Sequence, residues 1–174
     1  MIVDAVLTDA SGAFPFTAVE GDSLSGDYAS ILWAERGLVC RKLRAARMHN
    51  DFAVFQEVGA AFQFPGYYSG GWDATSEFIR DLNWLRADAG YVVIITDAEY
   101  LLMENLSDLP KFIAVLSNAT RSWSQANMTI PEDRWRLKAR PFHTVLFTEN
   151  LDLLRSRWPV ALQAVQFTNN EDDV

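Results

Sequence analysis

Cysteine is almost missing from this chain of 174 residues, where Cys40 stands alone. A single thiol excludes an internal disulfide and points to a reducing compartment. Set in the apolar run Leu38-Val39-Cys40, it is expected to be buried and inert. Histidine is nearly as scarce: His49 and His143 lie far apart, one beside a helix start and one within a strand. Neither a metal pair nor a general base is expected of them, and no Cys/His pattern has zinc spacing. No apolar run approaches the ~20 residues that cross a bilayer. The opening Met1-Ile2-Val3-Asp4 lacks the basic stretch of a secretory leader. A soluble, cytoplasmic protein is therefore expected, without metal or cofactor, and the sequons at Asn105, Asn118 and Asn127 are expected to carry no glycan. Positive charge is the minority: 15 Lys and Arg face 23 Asp and Glu, a formal net charge of −8. That balance excludes nucleic acid as a direct ligand. Gly66 to Gly71 lacks the Lys-Ser/Thr ending and the preceding strand of a phosphate loop. Asp97 and Glu99, just past a strand, are expected to cap the next element, and no enzymatic activity is expected.

What is present describes a single globule. Hydrophobic residues make up 49% and aromatics 13% of the chain, enough for one sizeable core. Residues 1–30 are read as an N-terminal extension of unknown role that adds an edge strand or a flap. Residues 31–168 form the main domain, and 169–174 an acidic tail. Ile31 to Arg44 reads as one or two strands, with a hairpin turn at Glu35-Arg36-Gly37. Asn50 in His49-Asn50-Asp51 suits an N-cap, after which Phe52, Phe55, Val58 and Phe62 recur at helical spacing. Tyr91 to Thr96 is a continuous β-branched run, as in a strand buried on both faces of a parallel sheet. Ser107-Asp108-Leu109-Pro110 opens a helix that runs to Ser124. Gln125 to Arg140 is a polar link holding Trp135. Phe142 to Thr148 is another strand, and Leu151 to Arg157 a short helix. Strands alternating with helices predict an α/β fold: a small, mostly parallel sheet packed against several helices, with the extra segment at the N-terminus.

Charge and aromatics concentrate in one stretch. From Trp72 to Pro110, Asp73, Glu77, Asp81, Asp88, Asp97, Glu99, Glu104 and Asp108 face only Arg80 and Arg86, eight acids against two bases or a local net of −6. The loop Phe64-Pro65-Gly66-Tyr67-Tyr68-Ser69-Gly70-Gly71 leads into a helix beginning near Trp72. At 3.6 residues per turn, Thr75, Phe78, Ile79, Leu82 and Leu85 share one side. Asp73, Glu77, Arg80, Asp81 and Trp84 share the other, which is expected to face solvent. Carboxylates at i and i+4 sit about 6 Å apart, close to the spacing of successive phosphates along a nucleotide chain. Flat rings beside such carboxylates suit a cationic protein pocket.

These residues resemble the barstar family of intracellular ribonuclease inhibitors. The likeness rests on Tyr67-Tyr68, the glycine-containing turn at Gly70, Trp72-Asp73-Ala74 and the acid at Glu77. It continues in Asp81-Leu82-Asn83-Trp84-Leu85 and Gly90-Tyr91-Val92-Val93-Ile94-Ile95. The resemblance spans roughly residues 38 to 155. It implies an inhibitor that plugs a nuclease active site with the tyrosine loop and the following helix. Tyr67, Tyr68, Gly70, Asp73, Ser76, Glu77, Asp81 and Trp84 would then touch the partner, a basic nuclease, most simply a ribonuclease toxin to which this chain gives immunity. Asn118 lies near another contact acid of the family. Against the family pattern, Ser69 replaces Gly, Gly71 Asn, Thr75 Leu, Ser76 Trp and Glu77 Asp, a set not expected of an inhibitor fitted to barnase itself. Two alternatives keep the scaffold and change the partner: a toxin that is not a ribonuclease, such as a deoxyribonuclease, or a regulatory protein-binding module.

Overall fold

Tyr91-Val92-Val93-Ile94-Ile95-Thr96 is apolar or β-branched throughout, and such a run suits a strand covered on both faces. It forms a strand buried at every position. The computed structural model describes residues 7, 10–13, 15–125, 138–160 and 162–165. In chain order these give β1 (Phe16–Glu20), α1 (Ser23–Glu35), β2 (Val39–Arg44), α2 (Asp51–Ala61), α3 (Trp72–Asp81), β3 (Tyr91–Thr96), α4 (Leu109–Trp123), β4 (Phe142–Thr148), α5 (Leu151–Arg157) and β5 (Gln163–Val165). The strands make one sheet in the order β2-β3-β4-β1-β5, and every pairing in it is parallel.

The period-two alternation of side chains divides the core. Tyr91, Val93 and Ile95 point with Phe16, Ala18, Phe142 and Leu146 toward Val54, Val58, Ile79, Phe112, Leu116 and Leu154. The side chains between them, Val92, Ile94, Val145, Phe147 and Val19, meet Ala29 and Trp33 of α1. Four helices thus cover one face and α1 covers the other. Each fully buried Val, Leu, Ile or Phe contributes about 1.5–3 kcal/mol, so the sheet is held from both sides.

The caps follow from local chemistry. Asn50 Oδ1 accepts from Ala53 N (3.1 Å) to start α2, and Asn150 Oδ1 accepts from Leu153 N (2.9 Å) to start α5. Asp108 with Pro110 opens α4 as the sequence predicts, although the aspartate makes no side-chain cap bond there. Instead its carboxylate takes Lys111 Nζ at 2.7 Å. Arg44 holds Glu57 through Nε–Oε1 (2.6 Å) and Nη2–Oε2 (3.0 Å), tying the edge strand β2 to α2. Burial pushes the pKa of Glu57 up, and its bonds to Arg44 more than offset this, so the pKa falls below its ordinary value. Burial also pushes the half-buried Cys40 thiol up to about 11, which leaves little thiolate and accords with an inert side chain.

Two expectations are corrected. Among the described residues, the N-terminal segment supplies not an edge strand or a flap but β1, which lies inside the sheet between β4 and β5, and residues 23–35 form a helix. No hairpin turns at Glu35-Arg36-Gly37, since Ile31 to Glu35 complete α1 and only Val39–Arg44 is a strand. The misreading has a physical source. The inner face of α1 buries Gly26, Ala29 and Trp33, while Leu24, Tyr28 and Ile31 stand exposed on the outside. With apolar residues on both sides, no helical periodicity stands out. The start signal was there: Asp22 Oδ1 accepts from Ser25 N at 2.8 Å. Gly26 permits the close packing of α1, because a Cβ there would sit 2.8 Å from Thr96 Cγ2.

Asp97 does not cap with its side chain, and Glu99 is buried. Most of the link expected from Gln125 to Arg140, with Trp135 and Asn127, lies outside the described residues, as do the opening Met1-Ile2-Val3-Asp4 and the acidic tail at 169–174. Among the described residues, no helix is long and apolar enough to cross a membrane, and no cluster of three or more His, Cys, Asp or Glu could hold a metal ion.

Candidate functional site

The loop before α3 is fixed by glycines and by one hydrogen-bond chain. Gly71, the N-cap of α3, has φ 96° and ψ 153°, a conformation that L side chains rarely adopt. It has no side chain to cap the helix, and Thr75 ties the first turn back to it from inside. The Thr75 Oγ1 hydroxyl donates to Gly71 O (2.7 Å) and lies 2.6 Å from the Tyr68 hydroxyl. With the threonine hydrogen already committed, Tyr68 is the donor to Thr75. Thr75 is fully buried. Burial raises the pKa of Tyr68 above its ordinary value. Removing that bond by Tyr68→Phe is expected to cost about 1 kcal/mol of stability, read as a lower urea midpoint at unchanged slope.

Aromatic packing completes the anchor. Tyr68 meets Phe64 edge-on, with ring centroids 4.7 Å apart, and Phe78 at 5.2 Å. Gly70 (φ 82°) packs its backbone against the ring of Phe55, which in turn meets Trp72 at 4.9 Å. Tyr67 leans on Phe78 at 5.4 Å yet remains 78% exposed. The two adjacent tyrosines therefore differ in role: Tyr68 fixes the loop and Tyr67 presents a free ring face.

Trp84 departs from its expected place. The helix ends at Asp81, because Leu82 turns left-handed (φ 45°) and buries its side chain. The chain beyond folds back, so Trp84 leaves the solvent-facing stripe. Its Nε1 donates to Phe62 O (3.0 Å), and its ring packs against Phe64 and Phe78. A ring with a satisfied N–H and apolar neighbours is a packing residue.

What α3 shows to solvent is acidic. Asp73 and Glu77 are exposed and one turn apart, and Asp81 is half-buried a turn further on. Asp73 in the first turn complements the positive end of the helix dipole. Arg80 turns back on its own helix, its Nε donating to Ser76 O (3.0 Å). Among the described residues, neither Asp73 nor Glu77 has an ion-pair partner.

Two shallow clefts flank this acidic ridge. One, of about 350 Å³, is lined by Tyr67, Glu77, Phe78 and Asp81. The other, of about 400 Å³ between α3 and α4, is lined by Trp72, Asp73, Ser76, Lys111, Val115 and Asn118 among others. The structure thus gathers Tyr67, Asp73, Ser76, Glu77 and Asp81 on one surface, with Tyr68 and Gly70 beneath it and Trp84 packed behind. Phe78, Trp72 and Lys111 were not among the partner contacts expected from the sequence. Phe78 was placed on the buried side by its spacing, although its ring also lines a cleft. Lys111 enters only because α4 packs beside α3, a contact that no local pattern announces.

Comparison with known proteins adds three findings. A family model described as Barstar (barnase inhibitor) matches residues 38–147. No curated protein sequence matches the chain. Among solved structures, the chain is similar to a Walker-type ATPase of Pyrococcus abyssi, at a TM-score of 0.50 and 9% identity, covering 94% of this chain and 50% of that one. It is also similar to the ORC2 protein of Aeropyrum pernix in its ADPNP–ADP complexes, at a TM-score of 0.53 and 12% identity, covering 95% of this chain and 45% of that one. The chain spans about half the length of either, and at these identities the likeness is one of fold alone.

Proposed function

The chain belongs to the barstar family, and from that premise we propose that it is a protein inhibitor that seats α3 and the tyrosine loop in the active site of a basic ribonuclease, giving immunity to a toxin of that class. One observation carries the reading: Asp73 and Glu77 are exposed, a turn apart and, among the described residues, without ion-pair partners, on a helix whose entry loop is rigidly anchored. A ribonuclease holds phosphate and stabilises developing charge with Arg, Lys and His. Fixed carboxylates offer those groups the negative charge they are built to receive. The free face of Tyr67 takes the place of a stacked base.

The other residues take graded roles. Asp81 extends the acidic ridge one turn beyond Glu77 along the cleft that Tyr67 walls. Ser76 and Asn118 give the second cleft small and neutral walls in place of an aromatic side chain and an acid. Tyr68, Gly70 and Trp84 act from beneath, fixing the positions of the groups that touch the partner. The likeness of fold to ATPases does not extend to the chemistry of the β1–α1 turn. There Glu20-Gly21-Asp22-Ser23 carries two acids and no lysine, whereas a nucleotide phosphate loop needs cationic and amide donors.

Capture from the source organism followed by a nuclease assay tests the proposal. The expected result is a basic ribonuclease retained by the protein and silent while bound. Retention of a fully active nuclease, or of partners without nuclease activity, would refute it.

A further inference from the structure

The sheet ends on β2, and the hydrogen bonds of that strand show which of its backbone groups are left over. In a parallel pair, alternate residues turn both N–H and C=O toward the neighbouring strand, and those between turn theirs away. Val39 N donates to Gly90 O (2.9 Å), and Val39, Arg41 and Leu43 stand opposite Tyr91, Val93 and Ile95 of β3. Their backbone groups belong to the β3 ladder. Those of Cys40, Lys42 and Arg44 therefore point outward. Among the described residues no strand lies beyond β2, and at the opposite end of the sheet β5 spans three residues. Of the two edges, β2 is the longer.

Side chains already occupy part of that outward edge. Arg41 turns back so that its Nη1 donates to Cys40 O (3.0 Å). Arg44 N donates to Glu57 Oε1 (3.2 Å), on a carboxylate that the Arg44 guanidinium clamps in place. The arrangement is costly for Arg41. Its Nε is buried without a hydrogen-bond partner, and among the described residues it has no ion-pair partner. The two covered atoms are complementary to each other. Were two copies of β2 to meet antiparallel about a two-fold axis at Lys42, Cys40 of each would lie opposite Arg44 of the other. Arg44 N–H of each strand would then donate to Cys40 O of its partner. Those are the atoms that Glu57 and Arg41 cover. The same register sets Lys42 against Lys42, and like charges directly opposite are destabilising. Within one chain Lys42 is drawn aside to α1, where Asp27 Oδ1 holds its Nζ at 2.6 Å.

We propose that Arg41, Lys42 and Glu57 guard the edge of β2 against pairing with a second copy of the chain. The register selects that partner: the donor that Glu57 covers and the acceptor that Arg41 covers would bond each other when the strand meets itself. Arg41 and Glu57 each occupy one atom of that bond, and Lys42 repels its counterpart at the centre. An open edge of this length is otherwise a template for strand addition.

Sedimentation equilibrium of the full chain tests this. The unaltered protein is expected to stay monomeric through this edge up to about 0.5 mM, whereas Arg41→Thr/Lys42→Thr/Glu57→Ala is expected to dimerise with a Kd of about 10–100 µM. Arg41→Thr/Lys42→Pro/Glu57→Ala loses the same side chains and also the central outward N–H, while the ladder to β3 keeps its donors. Its dimer is expected to be weaker by about tenfold or more. Backbone amide exchange locates the contact: on dimerisation Cys40, Lys42 and Arg44 should slow about tenfold, with Arg41 and Leu43 unchanged. Should the triple variant not fold, Arg41→Thr/Lys42→Thr decides. It keeps the Arg44–Glu57 pair and should dimerise about tenfold more weakly than a folded triple variant, at a Kd still below about 1 mM. Folded variants that stay monomeric would overturn the proposal. So would equal dimerisation by the Lys42→Pro variant, exchange protection confined to other amides, or an unaltered protein that already pairs through Cys40 and Arg44.

Discussion

Replacing Asp73 and Glu77 together with alanine is expected to weaken the complex with the target nuclease by about 1,000-fold or more, on the order of 4 kcal/mol. Truncating one member of a desolvated interfacial charge pair costs about 2–5 kcal/mol, a range for which barnase with barstar is itself the standard worked case. Much of that cost is the partner's cation left buried without an acid, so the change should fall chiefly on the dissociation rate. A smaller loss, graded with salt, is expected in the association rate, since net charge falls from −8 to −6. The fold itself should not notice. Both side chains are exposed and, among the described residues, neither has an ion-pair partner. Only the contribution of Asp73 to the helix dipole is lost, typically 0.3–1 kcal/mol at an exposed site. Surface plasmon resonance against the captured nuclease, beside a thermal melt, separates the two effects. An unchanged dissociation rate would remove α3 from the interface.

Trp84→Ala should behave in the opposite way. Its ring is packed against Phe64 and Phe78, and its indole N–H is bonded to Phe62 O. Truncating a fully buried Trp costs about 3–5 kcal/mol; for this half-buried ring, about 2–3 kcal/mol is expected, together with a carbonyl left short of its donor. A domain of this size would lose on the order of 5–10 °C in melting temperature. Binding measured well below the melt should change little, because the ring lies behind the ridge. Were the affinity to fall a hundredfold at unchanged stability, Trp84 would be a contact residue after all.

Much of the fold was legible in the sequence because its signals are local. The limits of β3, β4 and α5 were readable from β-branched runs and caps, which act over a few residues. The first turn of α4 was equally plain from Asp108 and Pro110. The amphipathic spacing of Thr75 and Ile79 likewise identified the buried side of α3. What failed was α1 and the placing of β1. A helix with apolar side chains on both faces carries no periodic signal, and the slot that a strand takes in a parallel sheet is set by contacts across the whole chain. Trp84 was misplaced for a related reason: the stripe was extended past Asp81, and nothing in the spacing announces the left-handed turn at Leu82.

The sequence by itself determined the class of the fold, the acidic helix, the tyrosine loop and the membership of a family. The first three depend on short-range chemistry, namely caps, glycine turns, periodicity and charge count; the family rests on the motifs between Phe64 and Ile95 and on the match over residues 38–147. Only the tertiary structure decided which residues the solvent can reach. It separated Tyr67 from Tyr68 by a single hydrogen bond to Thr75, and it packed Trp84, half-buried, against the core. It also set Lys111 and Asn118 opposite Asp73. Exposure is a property of neighbours brought together from distant parts of the chain, and a linear pattern holds no record of them until the sheet and its helices have packed.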